Sequence, residues 1–403
     1  MKYTQEEVIQ YVTEEDVKFI RMAFCDVYGR QRNVAIMAAE LPRAFSHGIA
    51  IDASAVPGFG GEVRSDLFLR PDPSTLKELP WRPHTGRVAH MFCEIVHPDG
   101  TICATDTRSI LKDAFARAES QGYSFSFGAE MEFYLFKLDD EGNPTKEPYD
   151  RAGYMDVAPE DKGENVRREI CLTLEQMGIL PESSHHESGP GQNEIDFRYS
   201  DPLTAADNAI ILRSVVKTIA AQNGLFADFS PRPLPEHDGS GMHINISAKK
   251  DGVELPPTEL IPGLMEHAAE ITAFLNPCEN SYERLGRDKA PAYVTWSEEN
   301  RSQFIRVPAA SGIFRRVELR SPDSMANPYL AYALIIHACL DGIEKKLPLP
   351  APADFNMYEA SADALAGFQK LPESLTKAAR IAGRSAFLQK HLPESVLRAY
   401  CKV

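Results

Sequence analysis

The sequence predicts an α+β fold of two domains: a small β-rich one, then a large one in which an antiparallel sheet is covered on one side by helices. Three observations carry this. Strictly alternating apolar and polar segments recur along the chain, runs with helical spacing lie between them, and 403 residues exceed what one hydrophobic core usually serves. The small domain is expected over 1–104 and the large one over 105–403.

Composition narrows the class of function. With 58 acidic and 43 basic residues the formal charge is -15, which argues against a nucleic-acid partner. The seven cysteines form no CxxC and no short paired spacing, as expected of a reduced cytoplasm. The start, MKYTQEEVIQYVTEED, is too acidic and polar for a signal peptide, and no apolar run reaches about 18 residues. A soluble cytoplasmic protein without a membrane partner is expected.

The elements follow in order. Residues 1–15 have the spacing of a short amphipathic helix, and VKFIRMAFCDVYGRQRNVAI places two apolar runs around Tyr28-Gly29, a hairpin. Residues 50–59, AIDASAVPGF, read as a loop, and 87–100 as a strand ending in a turn. Asp106 caps a helix that stops at Gly122. FSFGAEMEFYLF at 125–136 alternates, with Phe125, Phe127, Ala129, Met131, Phe133 and Leu135 on one face and Glu130 and Glu132 side by side on the other. DDEGNPTKEPYDRAG reads as a turn-rich loop. Helices are then expected with Val166, Ile170, Leu174 and Met177 on one face, from about Leu203 to Gln222, over ELIPGLMEHAAEITAFLNP and over NPYLAYALIIHACLDGIEKKL, with two short helices in the last fifty residues. His267 and His337 on the mostly apolar helices read as packed or partly exposed structural residues, not ligands, and Tyr28, Trp81 and Trp296 as core or interface.

Two adjacent carboxylates on one strand are most simply a solvated outer face. Later segments change that weighting. NEIDFRY sends Glu194, Asp196 and Arg198 one way and Ile195, Phe197 and Tyr199 the other; GMHINIS groups His243, Asn245 and Ser247; RRVELRS groups Arg316, Glu318 and Arg320; SQFIRV adds Arg306. If these strands share a sheet, their polar faces line one concave surface holding Glu130, Glu132, Glu194, His243 and Glu318, with Glu187 nearby. Carboxylates with one imidazole suit Mg²⁺ or Mn²⁺ better than Zn²⁺. Arginines among them suit a polyphosphate, and the whole suits phosphoryl transfer without a P-loop, since no GxxxxGK[ST] occurs.

These motifs resemble the glutamine synthetase family. EMEF is similar to its ExE strand, HHESGPGQNEIDF to HHExxPGQxEIDF, DGSGMH to NGSGMH, ENRSQFIRVP to NRSxxIRIP and RRVELRSPDSMANPYLA to RxEVRxPDxxANPYLA, in that order over almost the whole chain. The resemblance is to type I-like members, with a γ-glutamylamine synthetase as the variant reading. It implies a small β-grasp-like domain and a glutamine synthetase/guanido kinase-type catalytic domain with a curved sheet. It also implies two or three Mg²⁺ or Mn²⁺ ions per site, with Glu132, Glu187 and Glu194 around one and Glu130, His243 and Glu318 around another. Glutamate is expected near Arg284, Gly239 and Arg320, and ATP near Tyr199, Ser247, Arg306 and Arg316. Arg301 is expected to help with the transferred phosphate, and Tyr154 and Glu187 to face the amine. In such enzymes ATP phosphorylates the glutamate side chain and an amine displaces the phosphate. The family forms hexameric-ring homo-oligomers with sites between subunits, where Asp52 would reach into a neighbour.

Departures from the family pattern cluster at the amine. The family's FDGSS is IDASA here, so Ala55 replaces a serine; Lys289 in GRDKAP stands where a glutamate is usual, with Asp288 next to it as a substitute acid if the loop shifts; and Asp238 replaces the asparagine of NGSGMH. A flap acid attracts ammonium and can take its proton, whereas lysine repels a small cation. The expectation is a ligase for glutamate and an amine such as an alkylamine, ethanolamine or polyamine, with ordinary glutamine synthesis as the alternative. A non-catalytic relative is disfavoured because all six implied metal ligands are present. Tyr358 lies where some members carry a nucleotidylated tyrosine, and a structural role reads equally well. Part of the family's loop after Lys249 and its extension beyond Cys401 are expected to be missing.

Overall fold

The Tyr123–Leu138 strand runs through the larger of two sheets, and its 16 residues are long enough to be shared among several partners. Residues 123–131 pair with Met242–Lys250, 130–134 with Gln192–Phe197, and 134–137 with Leu225–Asp228. In this computed structural model, which describes residues 3–59, 65–82 and 85–401, the sheet continues through Val317–Leu319, Ile305–Val307 and Trp296–Glu298 on one side and Pro181–His186 on the other. Its pairings are antiparallel except the last, Trp296–Glu298 with Ile305–Val307.

Period-two alternation decides which side is dry. The apolar set from Phe125 to Leu135 is buried throughout, with Met242, Ile244, Ile246, Ile195, Phe197, Val317 and Leu319 of the neighbouring strands. Helices Thr107–Ser120 and Pro202–Gln222 pack on that face, and the mostly apolar, almost fully buried Pro328–Glu344 packs against both. Phe127 stacks on Tyr332 with ring centroids 4.5 Å apart. His267 and His337 are buried among these helices.

A smaller sheet in the order Gln31–Met37, Val17–Cys25, Arg87–Val96, Asp66–Pro71, Ile49–Asp52 forms the N-terminal part. Its first hairpin docks on the rest of the chain. Gly29 has φ +76, and a Cβ there would lie 2.8 Å from the Asn327 Cα, so only glycine lets the turn approach. Asn327 Nδ2 donates to the Val27 carbonyl at 2.9 Å. Deeper in the joint, buried Arg108 pairs with Asp72 and Asp207 at 3.0 Å each, and the Tyr329 hydroxyl donates to Asp207 at 2.6 Å.

Several elements differ from expectation. Ile49–Asp52 is a strand, since Ile49 to Asp52 pair with Leu69 to Asp66 and only the following residues form a turn. Pro144–Pro148 is an edge strand inside the supposed loop, where proline is tolerated. The predicted 259–277 helix breaks at His267 into Ile261–Glu266 and Ala268–Leu275, and the last fifty residues hold Ala362–Leu365, Leu375–Arg384, Ala386–His391 and Glu394–Cys401. Ser385 both ends one of these helices and caps the next, a break that hydrophobic spacing does not register. Tyr28 is partly exposed against Tyr400, whereas Trp296 is buried. Among the described residues, no helix is long and apolar enough to cross a membrane.

Arg108→Met leaves Asp72 and Asp207 without their cation and is expected to cost about 3–5 kcal/mol, while exposed Arg43→Ala changes stability by less than about 0.5 kcal/mol. Urea unfolding of both variants measures the difference.

Candidate active site

Strand register gathers the acids. His185 lies opposite Glu194, and Glu194 opposite Glu132; one step along the ladder Ser183 faces Asp196, Asp196 faces Glu130, and Glu130 faces His243. Asn245 faces Glu318, and Glu318 faces Arg306. Cross-strand neighbours in such rows stand within side-chain contact. Residues from segments far apart in sequence therefore crowd one polar patch.

Two groups in this patch have ligand atoms within 4.8 Å of one another: Glu130, His243 and Glu318, and His185, Glu187 and Glu194. Glu132 lies between them, 3.9 Å from His243 Nδ1, with its other oxygen accepting from Gly241 N at 2.8 Å and Gln192 Nε2 at 3.2 Å. The donor set is carboxylate oxygen with imidazole, which fits hard divalent cations. Charge agrees. Burial, reinforced by Glu187, raises Glu132 to about 7, burial together with Glu130 raises Asp196 to about 7, and burial together with Asp196 and Glu132 raises Glu194 well above the carboxylate range. Burial and Arg320 push His243 well below an ordinary imidazole, leaving it neutral and free to ligate. A third cluster, Asp150, Asp161 and His186, is otherwise engaged: Asp161 pairs with Arg167, and His186 donates to the Glu187 carbonyl at 2.6 Å while holding Asp150 at 2.8 Å. It props up the loop that carries Glu187.

Arginines surround the acids. Glu318 accepts from Arg306 at 2.5 Å and also from Arg320, whose Nε donates to the Arg301 carbonyl at 3.0 Å. Arg284 is buried and held by the Ser321 and Arg320 carbonyls at 2.8 and 3.3 Å. A narrow cleft lies beside it, lined by Glu132, Glu187, Asp238, Gly239, His243 and Lys289 among others. Gly239 is required there: a Cβ would meet the Pro231 carbonyl at 2.4 Å and Arg284 Cγ at 2.8 Å.

A second cavity of about 280 Å³ opens on the same face, with Gly128, Glu130, Asp196, Tyr199, Asn245, Ser247 and Arg316 in its wall. Arg316 Nε donates to Asn245 Oδ1 at 2.8 Å, and Asn245 Nδ2 donates to Glu130 Oε1 at 2.8 Å, so this cavity adjoins the acids. Tyr199, assigned by alternation to the apolar side, instead lines it and is half exposed, because the strand ends at Phe197. Arg306 turns to Glu318 and lines neither space.

Not every expected residue is brought in. Asp52 is exposed, its carboxylate accepting from Ser54 N and Oγ at 2.9 and 2.6 Å, and Arg301 is exposed as well; neither lines either space. Asp288 bonds Arg232 at 2.9 Å and so does not replace the flap acid. Tyr154, half exposed, meets His185 edge-on at 5.5 Å. Sequence reasoning missed His185, Gln192 and Ser188. His185 was legible in principle, since Pro181–His186 alternates and ends beside Glu187, but the proline and serines in PESSHH hid a strand.

Comparison with known proteins gives a consistent picture. The glutamine synthetase β-grasp domain model matches residues 16–98 and the glutamine synthetase catalytic domain model residues 104–403. A glutamine synthetase of Methanosarcina mazei is 44% identical over 98% of this chain and 92% of its own length, and one of Clostridium saccharobutylicum 42% identical over 99% and 94%. Among solved structures, a GmaS/ADP complex superposes with a TM-score of 0.88 at 28% identity, covering 98% of this chain and 94% of that one. Plasmodium falciparum glutamine synthetase superposes with a TM-score of 0.87 at 23% identity, covering 100% and 95%, a likeness of fold alone.

The raised carboxylates make a pH prediction. Glu132 and Asp196 lie at about 7 in the folded chain against about 4 unfolded, so their contribution is full below about pH 4 and lost as pH rises through about 7. Metal-free protein is therefore expected to lose thermal stability from about pH 5 to 7.5, and Mn²⁺ or Mg²⁺ to restore it at the upper end. Melting curves across that range, with and without metal, check both.

Proposed function

The chain belongs to the glutamine synthetase family of carbon–nitrogen ligases, and from that premise we propose that it joins glutamate to ammonia or a small organic amine, using ATP and forming a γ-glutamyl phosphate on the way. The observation that carries this reading is the single polar face on which Glu130, Glu132, Glu194, His243 and Glu318 stand between the Arg284 cleft and the Arg316 cavity. Such an arrangement leaves space for a dicarboxylate on one side of the acidic centre and a nucleotide on the other.

In this scheme Glu132, Glu187 and Glu194, joined by His185, would hold one divalent ion, and Glu130, His243 and Glu318 another, which would supply positive charge to offset that of the phosphate. Arg284 and the bare Gly239 backbone seat glutamate, and Tyr199, Ser247 and Arg316 seat the nucleotide. Arg306, now on Glu318, would donate to phosphate oxygens, with Arg301 helping, and Arg320, also on Glu318, would face both the glutamate and the transferred phosphate. Phosphorylation gives the glutamate side chain a leaving group. The amine nitrogen then bonds to the carbonyl carbon, the carbon–oxygen bond to phosphate breaks, inorganic phosphate departs with the electron pair, and the amine proton passes to a carboxylate.

Exposed Asp52 needs a neighbouring subunit to reach a site, which supports a homo-oligomer of the hexameric-ring type. The 1–104 and 105–403 division fits that arrangement, with the small part of one subunit facing the large part of the next. A cytoplasmic setting fits an ATP-dependent ligase. Ordinary glutamine synthesis is the second reading, favoured by the relatives at 40–44% identity that are named glutamine synthetase.

Phosphate release from ATP is expected to require glutamate, Mg²⁺ or Mn²⁺ and an amine together. Arg320→Ala is expected to lower kcat by roughly 10²–10³. Release with ammonium at least as fast as with any organic amine selects the second reading; release without any amine contradicts both.

A further inference from the structure

The Lys289 side chain ends in a cage built for an ammonium group. Its Nζ lies 2.6 Å from Ser188 Oγ, 3.1 Å from Glu187 Oε2, 3.7 Å from Asp238 Oδ2 and 4.9 Å from the centre of the Tyr154 ring. Two acids, a hydroxyl and an aromatic face are the groups that would receive a cationic amine. Here the chain's own cation sits among them.

A free cation entering this cage meets a like charge a few ångströms away. A neutral amine gains no ionic partner from the lysine. An amine that carries an anionic group offers both halves of an exchange: its ammonium takes the carboxylates, and its anion takes Lys289. Lys289 is half exposed, so it can turn to a new partner without unfolding the loop. Its loop is fixed at the base, because Arg320 donates to the Lys289 carbonyl at 3.3 Å and Arg232 pairs with Asp288 at 2.9 Å.

We propose that Lys289 sets the amine specificity of this ligase in favour of zwitterionic amines, such as amino acids or aminosulfonates, by pairing with their anionic end. This rests on the ligase reading and narrows its amine. The bond changes are those of amide formation given above; the lysine binds and orients the incoming amine and takes no proton.

The test offers the full-length protein, with ATP, Mg²⁺ and glutamate, a choice of hydroxylamine, ammonium, putrescine, glycine and taurine, and identifies the products by mass. Hydroxylamine is largely uncharged at neutral pH and reports the acyl phosphate alone. The expected result is a γ-glutamyl product from glycine or taurine with kcat/KM about tenfold or more above ammonium and putrescine, the effect of one partly buried charge pair. Lys289→Met should reverse that ratio through KM, and Lys289→Arg should keep it. Circular dichroism establishes that both variants fold. Ammonium or putrescine matching the zwitterions overturns the proposal, and so does a Lys289→Met change that is the same for every amine, which would mark the lysine as a phosphate contact. If hydroxylamine reacts but neither zwitterion does, this inference falls and the ligase stands; if hydroxylamine gives no hydroxamate, the ligase reading itself falls.

Discussion

Hydrogen-bonded register between Tyr123–Leu138, Gln192–Phe197 and Met242–Lys250 fixes Glu130, Glu132, Glu194 and Asp196 in one patch, and carboxylates so placed repel unless cations stand among them. Slipping any of these strands by one residue would send its acids into the helical layer and its phenylalanines or isoleucines to the cleft. The apolar face therefore enforces the acidic one. Burial of Phe127, Met131, Ile195 and Ile244 under the helices stabilises a register that the charges alone would oppose.

Cations meet that repulsion from several directions. Arg306 and Arg320 converge on Glu318, and Lys289 on Glu187. These contacts differ in permanence. Arg320 is fully buried and tied to two carbonyls, whereas Lys289 is half exposed on a loop. The Glu318 side of the site is thus set by strands, and the Lys289 side, which the proposed function gives to the amine, by a loop that can change sequence without disturbing the sheet.

Much of this was legible in the sequence. Period-two alternation located the Phe125–Phe136 strand, its dry face and the companion strands carrying Glu194, His243 and Glu318, because strands buried on one side leave that imprint. Legibility failed where alternation stops: Tyr199 lies past its strand end, PESSHH lacks the residues that mark strands, and the helix breaks at His267 and Ser385 are made by capping and side-chain bonds. Lys289 shows a further boundary. Its identity raised the expectation of an altered amine site, but that its ammonium sits between Glu187, Ser188 and Tyr154 depends on a loop path no periodicity encodes.

The central claim is that this acidic face transfers phosphate to a glutamate carboxylate before any amine is bound in amide linkage. Positional isotope exchange tests it most directly: ATP carrying labelled oxygen at the β–γ bridge is incubated with the protein, Mg²⁺ and glutamate, without amine. Migration of the label into the non-bridging β positions, dependent on glutamate and metal, is the predicted result. A label that stays in the bridge while glutamate-dependent ADP accumulates would contradict the account.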